Sequence, residues 1–340
     1  MTALTIVQVR AAMLKKLAES LLKESTIKLL RFKPYAERES LSLKLPAAAA
    51  GFTIPYFSVD GKLSSFFRYR YVEDTRKGFA LLTGQKPLRY GQPANTLNEV
   101  YFPPCFQWRG YLASDGPIVI TEGELKAACA TQQGIPTIGL GGVWCFMSSK
   151  KNLPLLPQLE AIKWKDRLVI ICYDSDAVTN PDVIRAEGAL ARQLLDRGAK
   201  INIARIPING TSKVGLDDYL AAHGAEEFRK KVLGTVFPFA TSAALHELST
   251  RVSYIQAVGM VYSYERNMLI NPMAFVQHAY ATEWFNEQWV DGNDAVKYRR
   301  VKTAAKWLEW GGRADLVGIT YAPGKERITD GGNLNTWHGW

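Results

Sequence analysis

Residues 117–143 read PIVITEGELKAACATQQGIPTIGLGGV. The stretch divides into three. A short apolar run, Ile118 to Thr121, ends on Glu122 and Gly123. An alanine-rich segment, ELKAACATQQG, has a helical composition and is stopped by Gly134. A second short apolar run, IPTIGL, ends in paired glycines. Apolar runs of this length, bounded by glycine and without polar alternation, suit strands buried on both faces. Strand, helix and strand in so few residues form a βαβ unit, which points to a parallel sheet.

The pattern continues outward. RLVIICYDSD is a third strand and AKINIARIP a fourth. Between them lies NPDVIRAEGALARQLLDRG, a helix with Asn180 as N-cap, Pro181 at its first position and Gly198 just past its end. GLDDYLAAHGAEEFRKKV follows as a turn and helix. The predicted fold class is therefore α/β, with a central, mostly parallel sheet flanked by helices over residues 113–236. Ahead of it, residues 5–33 read as one helical run, with Val9, Met13, Leu17, Leu21 and Ile27 near helical spacing and Pro34 closing it. GKLSSFFRYRYVED reads as a strand after a turn at Gly61. Residues 1–112 are expected to form a basic N-terminal α+β domain. Residues 237–340 have a third texture, with hairpin-like SYIQAVGMVYSYERNMLI and Trp284, Trp289, Trp307, Trp310, Trp337 and Trp340. A C-terminal α+β domain that docks a partner is expected there. The apolar ending LNTWHGW suits one part of a longer polypeptide.

Bulk properties narrow the classes. The chain has 340 residues, 47% of them hydrophobic, and a net charge of +10. Residues 1–110 hold 17 Lys and Arg against 8 Asp and Glu, residues 111–236 hold 15 against 14, and residues 237–340 hold 10 against 10. The basic excess therefore lies in the N-terminal third, as a polyanionic partner requires. There is no apolar run long enough to span a membrane and no secretory signal pattern. Cys105, Cys129, Cys145 and Cys172 form no C-x-x-C pair, and the four histidines lie far from them, so no zinc module is expected. Free buried thiols suit a reducing, cytoplasmic compartment.

In an open α/β sheet, ligands gather beyond the carboxyl ends of the strands. Glu122 ends the first strand, Asp174 and Asp176 the third, and Asp217 and Asp218 follow the fourth. Crowded carboxylates repel one another unless a cation holds them. Oxygen-only ligands point to Mg²⁺ or Mn²⁺. Each piece alone also reads as an ordinary turn, and Asp217 equally as a cap of the next helix. Lys126, one turn beyond Glu122, and Lys213, just before the aspartate pair, are candidates to meet a phosphate. Gly139, Gly141 and Gly142 suit a tight turn near the site.

VITEGELKA together with ICYDSDA resembles the Toprim domain, the metal-binding α/β module of bacterial primases, topoisomerases and OLD-type nucleases. With GFTIPYFSVDGK, FRYRY, VYFPP, KVGLDDYL and GITYAPGKE added, the chain is similar to the primase portion of phage and plasmid primase–helicases. The resemblance implies a DNA primase, a nucleotidyltransferase that makes short primers on single-stranded DNA from nucleoside triphosphates. It implies Asp174 and Asp176 as ligands of Mg²⁺ or Mn²⁺, with Asp217 and Asp218 as further candidates. Glu122 is implied as a ligand or as the base for the attacking hydroxyl, and Lys126 as a catalytic-site cation. A helicase domain or subunit is the implied partner, with no membrane. The chain lacks the zinc-binding module usual ahead of bacterial primase cores. It also lacks G-x-x-x-x-G-K-S/T, so it is not the helicase motor. The alternatives are a Toprim metal-dependent nuclease and a non-catalytic DNA-binding replication module. On the strand FFRYRY, Arg68 and Arg70 share one face and are expected to hold template phosphates, with Lys77, Lys86 and Arg89 as neighbours. Neutralising Asp174 or Asp176 is expected to relieve repulsion and leave stability unchanged or raised.

Overall fold

The computed structural model describes residues 4–72, 89–178, 180–207, 213–290, 296–310, 313–329 and 331–337. Lys77 and Lys86 lie outside the described residues. The chain divides into two compact units, one of Met1–Ser175 with Ala189–Val236 and one of Asp176–Gly188 with Phe237–Trp340.

The first unit contains two sheets. One is antiparallel, in the order β1 (Lys33–Tyr35), β2 (Gly51–Phe57), β3 (Leu63–Tyr71) and β4 (Tyr90–Gly91). The other is the expected parallel sheet, with β6 (Thr137–Leu140), β5 (Ile118–Glu122), β7 (Leu168–Cys172) and β8 (Lys200–Ala204) side by side in that order. Helices Glu124–Gln132, Pro181–Leu195 and Leu216–Lys231 follow β5, β7 and β8. The central strands are apolar throughout because both faces are covered: Ile118, Ile120, Val169, Ile171 and Cys172 are fully excluded from solvent. One core joins residues of both sheets, from Met13 and Phe52 through Val119 and Ile170 to Phe228.

The N-terminal helical run breaks in two, which corrects the single helix expected for residues 5–33. Helix Ile6–Glu19 starts on a Thr5–Gln8 capping box and buries Val9, Met13 and Leu17 at four-residue spacing. A second helix spans Glu24–Leu30. Between them Leu21 takes φ 54° and is 38% exposed, so its place in the apolar stripe is taken by buried Leu22. The break also frees Ser20 to donate a 2.8 Å hydrogen bond to Asp217.

Buried Arg167 was not foreseen. Its guanidinium donates to the carbonyls of Lys163, Gly116, Leu112 and Ser114. It thereby ties the approaches to β5 and β7 together below the sheet. No carboxylate takes part in these four bonds, and the planar fork of donors satisfies four loop carbonyls at once.

The second unit has a sheet in the order β11 (Met268–Ile270), β10 (Met260–Ser263), β9 (Val252–Ile255) and β14 (Asp315–Leu316). It also has a two-stranded ribbon of β12 (Trp284–Val290) and β13 (Val296–Lys302). Helices Phe239–Arg251 and Thr303–Glu309 pack over a core of Leu245, Phe275, Tyr280, Trp307 and Trp310. Trp307 and Trp310 therefore fill a core, while Trp284 is 41% exposed beneath the side chains of Arg300 and Lys302.

Candidate functional site

The strand order places a crevice in a defined position. From β5 the chain crosses to β6 on one side, then returns past β5 to β7 on the other. The reversal makes the carboxyl ends of β5 and β7 the topological switch point of the sheet. Glu122 is the last residue of β5, and Asp174 stands two residues past β7. Gly123 turns the chain from strand into helix at φ 101°, a conformation L side chains rarely adopt. Its N–H donates to the Leu140 carbonyl at 2.7 Å, locking the turn onto β6.

Asp174 is 3% exposed and carries two lysines. The Lys126 ammonium donates to both carboxylate oxygens, at 2.5 and 2.6 Å, and Lys213 reaches the second at 2.9 Å. Burial opposes the charge on Lys126. The Asp174 carboxylate beside it, with Glu122 and Asp217 adding, outweighs that penalty and holds its pKa above the ordinary lysine value. Three carboxylates thus act on one ammonium. The expectation of bare, mutually repelling aspartates is corrected here: Asp174 sits in attractive pairs, so neutralising it removes attraction instead of relieving repulsion.

The remaining acidic candidates each have a further contact or place. Asp217 is buried and accepts the Ser20 hydroxyl. Asp218 caps helix Leu216–Lys231 by accepting the Gly215 N–H at 2.8 Å. Asp176 lies in the tight turn Ser175–Val178 directly after Asp174, where the chain passes into the segment grouped with the second unit. Among the described residues, no group of three or more His, Cys, Asp or Glu side chains could hold a metal ion. Glu122 and Asp174 are hard oxygen donors at the ends of neighbouring strands. Such a pair matches the sites that bind Mg²⁺ through one or two carboxylates and leave the rest of its shell to substrate phosphates.

Arg68 departs from the template-binding expectation. Its side chain is 16% exposed, pairs with buried Glu124 at 3.2 Å and donates to the Gly141 carbonyl. The Tyr56 hydroxyl donates to the same Glu124 oxygen at 2.6 Å. Burial works against the Arg68 charge, and Glu124 together with Tyr56, Cys145 and Tyr90 outweighs it, so its pKa is raised. Arg68 is therefore a strut between β3 and the Glu124 helix. Arg70 shares its face and donates to the Tyr90 hydroxyl, and both guanidinium groups lie over the Tyr90 ring, at 4.8 and 4.9 Å. Arg89 is exposed. Glu124 and Tyr56 escaped the sequence reading. The only local signal was a carboxylate in the first turn of a helix, which reads as a dipole partner.

The model of a family described as a domain of unknown function, DUF3854, matches residues 107–227. An uncharacterized protein of Picosynechococcus sp. is 28% identical over 182 residues, 43% of this chain and 18% of that protein, so the chain spans a small part of its relative. Among solved structures, the zinc-binding and RNA polymerase domains of the Aquifex aeolicus primase are similar at TM-score 0.46 and 14% identity. That likeness covers 68% of this chain and 57% of theirs. The E. coli primase catalytic core is similar at TM-score 0.46 and 14% identity, over 71% of this chain and 77% of its own.

Proposed function

We propose that this chain is the primase portion of a phage or plasmid replication protein. It would make short primers on single-stranded DNA by nucleotidyl transfer from nucleoside triphosphates. The observation that carries the reading is the convergence of Glu122, Asp174, Lys126 and Lys213 at the switch point of a parallel sheet. The strand–Glu–Gly–helix and strand–Asp–x–Asp motifs on which the Toprim resemblance rests supply the acidic half of that set.

Nucleotidyl transfer needs positioning and charge neutralisation more than covalent help from the protein. Glu122 and Asp174 would hold Mg²⁺ or Mn²⁺, which when bound neutralises triphosphate charge. Where Asp174 holds the ion alone, Glu122, half-buried at the strand end, would instead accept the proton of the attacking 3′-hydroxyl. Lys126 and Lys213 would meet phosphate oxygens, each as a point charge. Arg70 and Arg89, beside Tyr90, would hold the template, with a base or sugar against the aromatic ring. A helicase domain or subunit would be the partner in replication.

The test is direct. The protein is incubated with single-stranded DNA, labelled nucleoside triphosphates and Mg²⁺ or Mn²⁺, and the products are sized. New short oligonucleotides on intact template support the reading. Shortened template without new strands would move the site to hydrolysis, and no change in either would leave a DNA-binding module.

A further inference from the structure

The position of Lys126 is built. Its stem passes beside Gly123 and Gly215, and a Cβ added at Gly215 would come within 3.1 Å of Lys126 Cε. Its ammonium covers both oxygens of Asp174, and only 20% of the side chain is exposed. Glu122 and Asp217 act on the same ammonium. A divalent ion drawn to Glu122 and Asp174 therefore arrives at a carboxylate whose two oxygens are already bridged by a cation. Ammonium and metal cannot hold the same lone pairs. Lys213 is a weaker obstacle, since it contacts one oxygen and is 46% exposed.

We propose that Lys126 is the resident counter-cation of this carboxylate site: it closes Asp174 to divalent ions in the nucleotide-free protein and yields when a polyphosphate draws its ammonium away. The inference rests on the metal-dependent reading of the site and adds its loading order. Metal and nucleotide then bind with positive coupling, because each removes an obstacle to the other. The free protein is kept from collecting metal without substrate, and Asp174 is never left buried and unpaired, an arrangement that is strongly destabilising.

The experiment measures Mn²⁺ alone binding to the whole chain, without nucleotide, by loss of the free-ion electron paramagnetic resonance signal. Wild type, Lys126→Met, Asp174→Asn and the double variant are compared. Removing one positive charge in contact with the ligand oxygens should tighten Mn²⁺ binding at least about tenfold in Lys126→Met, and the gain should vanish in the double variant. If wild type binds Mn²⁺ through Asp174 and Lys126→Met binds it no tighter, the counter-cation proposal is overturned while the metal reading stands. If no variant shows Asp174-dependent binding, the metal reading fails and takes the proposal with it. Lys126→Gln keeps an N–H donor for Asp174 and gives the same comparison should Lys126→Met fail to fold. Urea midpoints add a readout that needs no metal. Losing Lys126 should lower the midpoint in the wild-type background and lower it by clearly less beside Asp174→Asn, where only Glu122 and Asp217 still face the ammonium.

Discussion

Arg68→Ala separates a strut from a template contact. The substitution leaves Glu124, whose side chain is 2% exposed, with the Tyr56 hydroxyl as its remaining mapped partner, and it strips the Gly141 carbonyl of its donor. Removing one member of a buried ion pair costs ~3–5 kcal/mol. Arg68 keeps 16% exposure and Tyr56 still donates to Glu124, so the lower end, about 3 kcal/mol, is expected. At a urea slope of ~3 kcal/mol per molar the midpoint of the first unit should fall by ~1 M. Glu124→Gln in the same background should recover part of the loss, since a neutral amide needs no counter-charge. Circular dichroism through a urea titration reads both values. An unchanged midpoint would refute the strut, most clearly if single-stranded DNA binding weakened at the same time and its dependence on log salt flattened by ~0.7 per lost phosphate contact. That result would return Arg68 to the template.

Three further outcomes are expected. Arg167→Lys should lower stability by about 2 kcal/mol, because one ammonium cannot reach all four loop carbonyls that the guanidinium satisfies; thermal or urea unfolding measures it. Gly123→Ala should cost ~1–3 kcal/mol through its φ of 101° and should disturb the Glu122 turn, so primer synthesis should fall even at temperatures where the protein stays folded. The Cys129 thiol, pushed up to about 12 by burial, and the Cys105 thiol, pushed up to about 11, should react slowly with alkylating reagents at pH 8 in the native protein. Because the thiolate is the reactive form, labelling of native Cys105 should rise about tenfold per pH unit up to its pKa; fast labelling of both at pH 8 would contradict that burial.

The parallel sheet was legible because β5 and β7 are five-residue runs rich in Ile and Val and closed by acidic or glycine residues, too short for a buried helix. Their carboxyl-end acids were legible for the same reason. The partners of those acids were not. Lys126 and Asp174 lie 48 residues apart, and strand order alone brings them together. Alternation along FFRYRY correctly put Arg68 and Arg70 on one face of β3, and both meet Tyr90 there. It carried no information on what lies opposite that face, which for Arg68 is Glu124 and the Gly141 carbonyl. The break after Glu19 was hidden because Leu21 continues the helical spacing while its backbone turns left-handed. For the Asp217–Asp218 pair the cap was legible but not its owner: the cap falls to Asp218, and Asp217 accepts the hydroxyl of Ser20, 197 residues away.

Primer synthesis by Asp174→Asn is the most direct measurement of the central claim. The side chain keeps its shape and loses the charge that two lysines now share, so some stability should be lost while the sheet remains intact. The variant is compared with wild type on single-stranded DNA, with labelled nucleoside triphosphates and Mg²⁺, below the melting temperature of both. The account predicts labelled primers from wild type and at least a hundredfold fewer from the variant, with native circular dichroism and DNA binding retained. Wild-type levels of primer from Asp174→Asn would contradict it and remove the switch-point carboxylate from the chemistry.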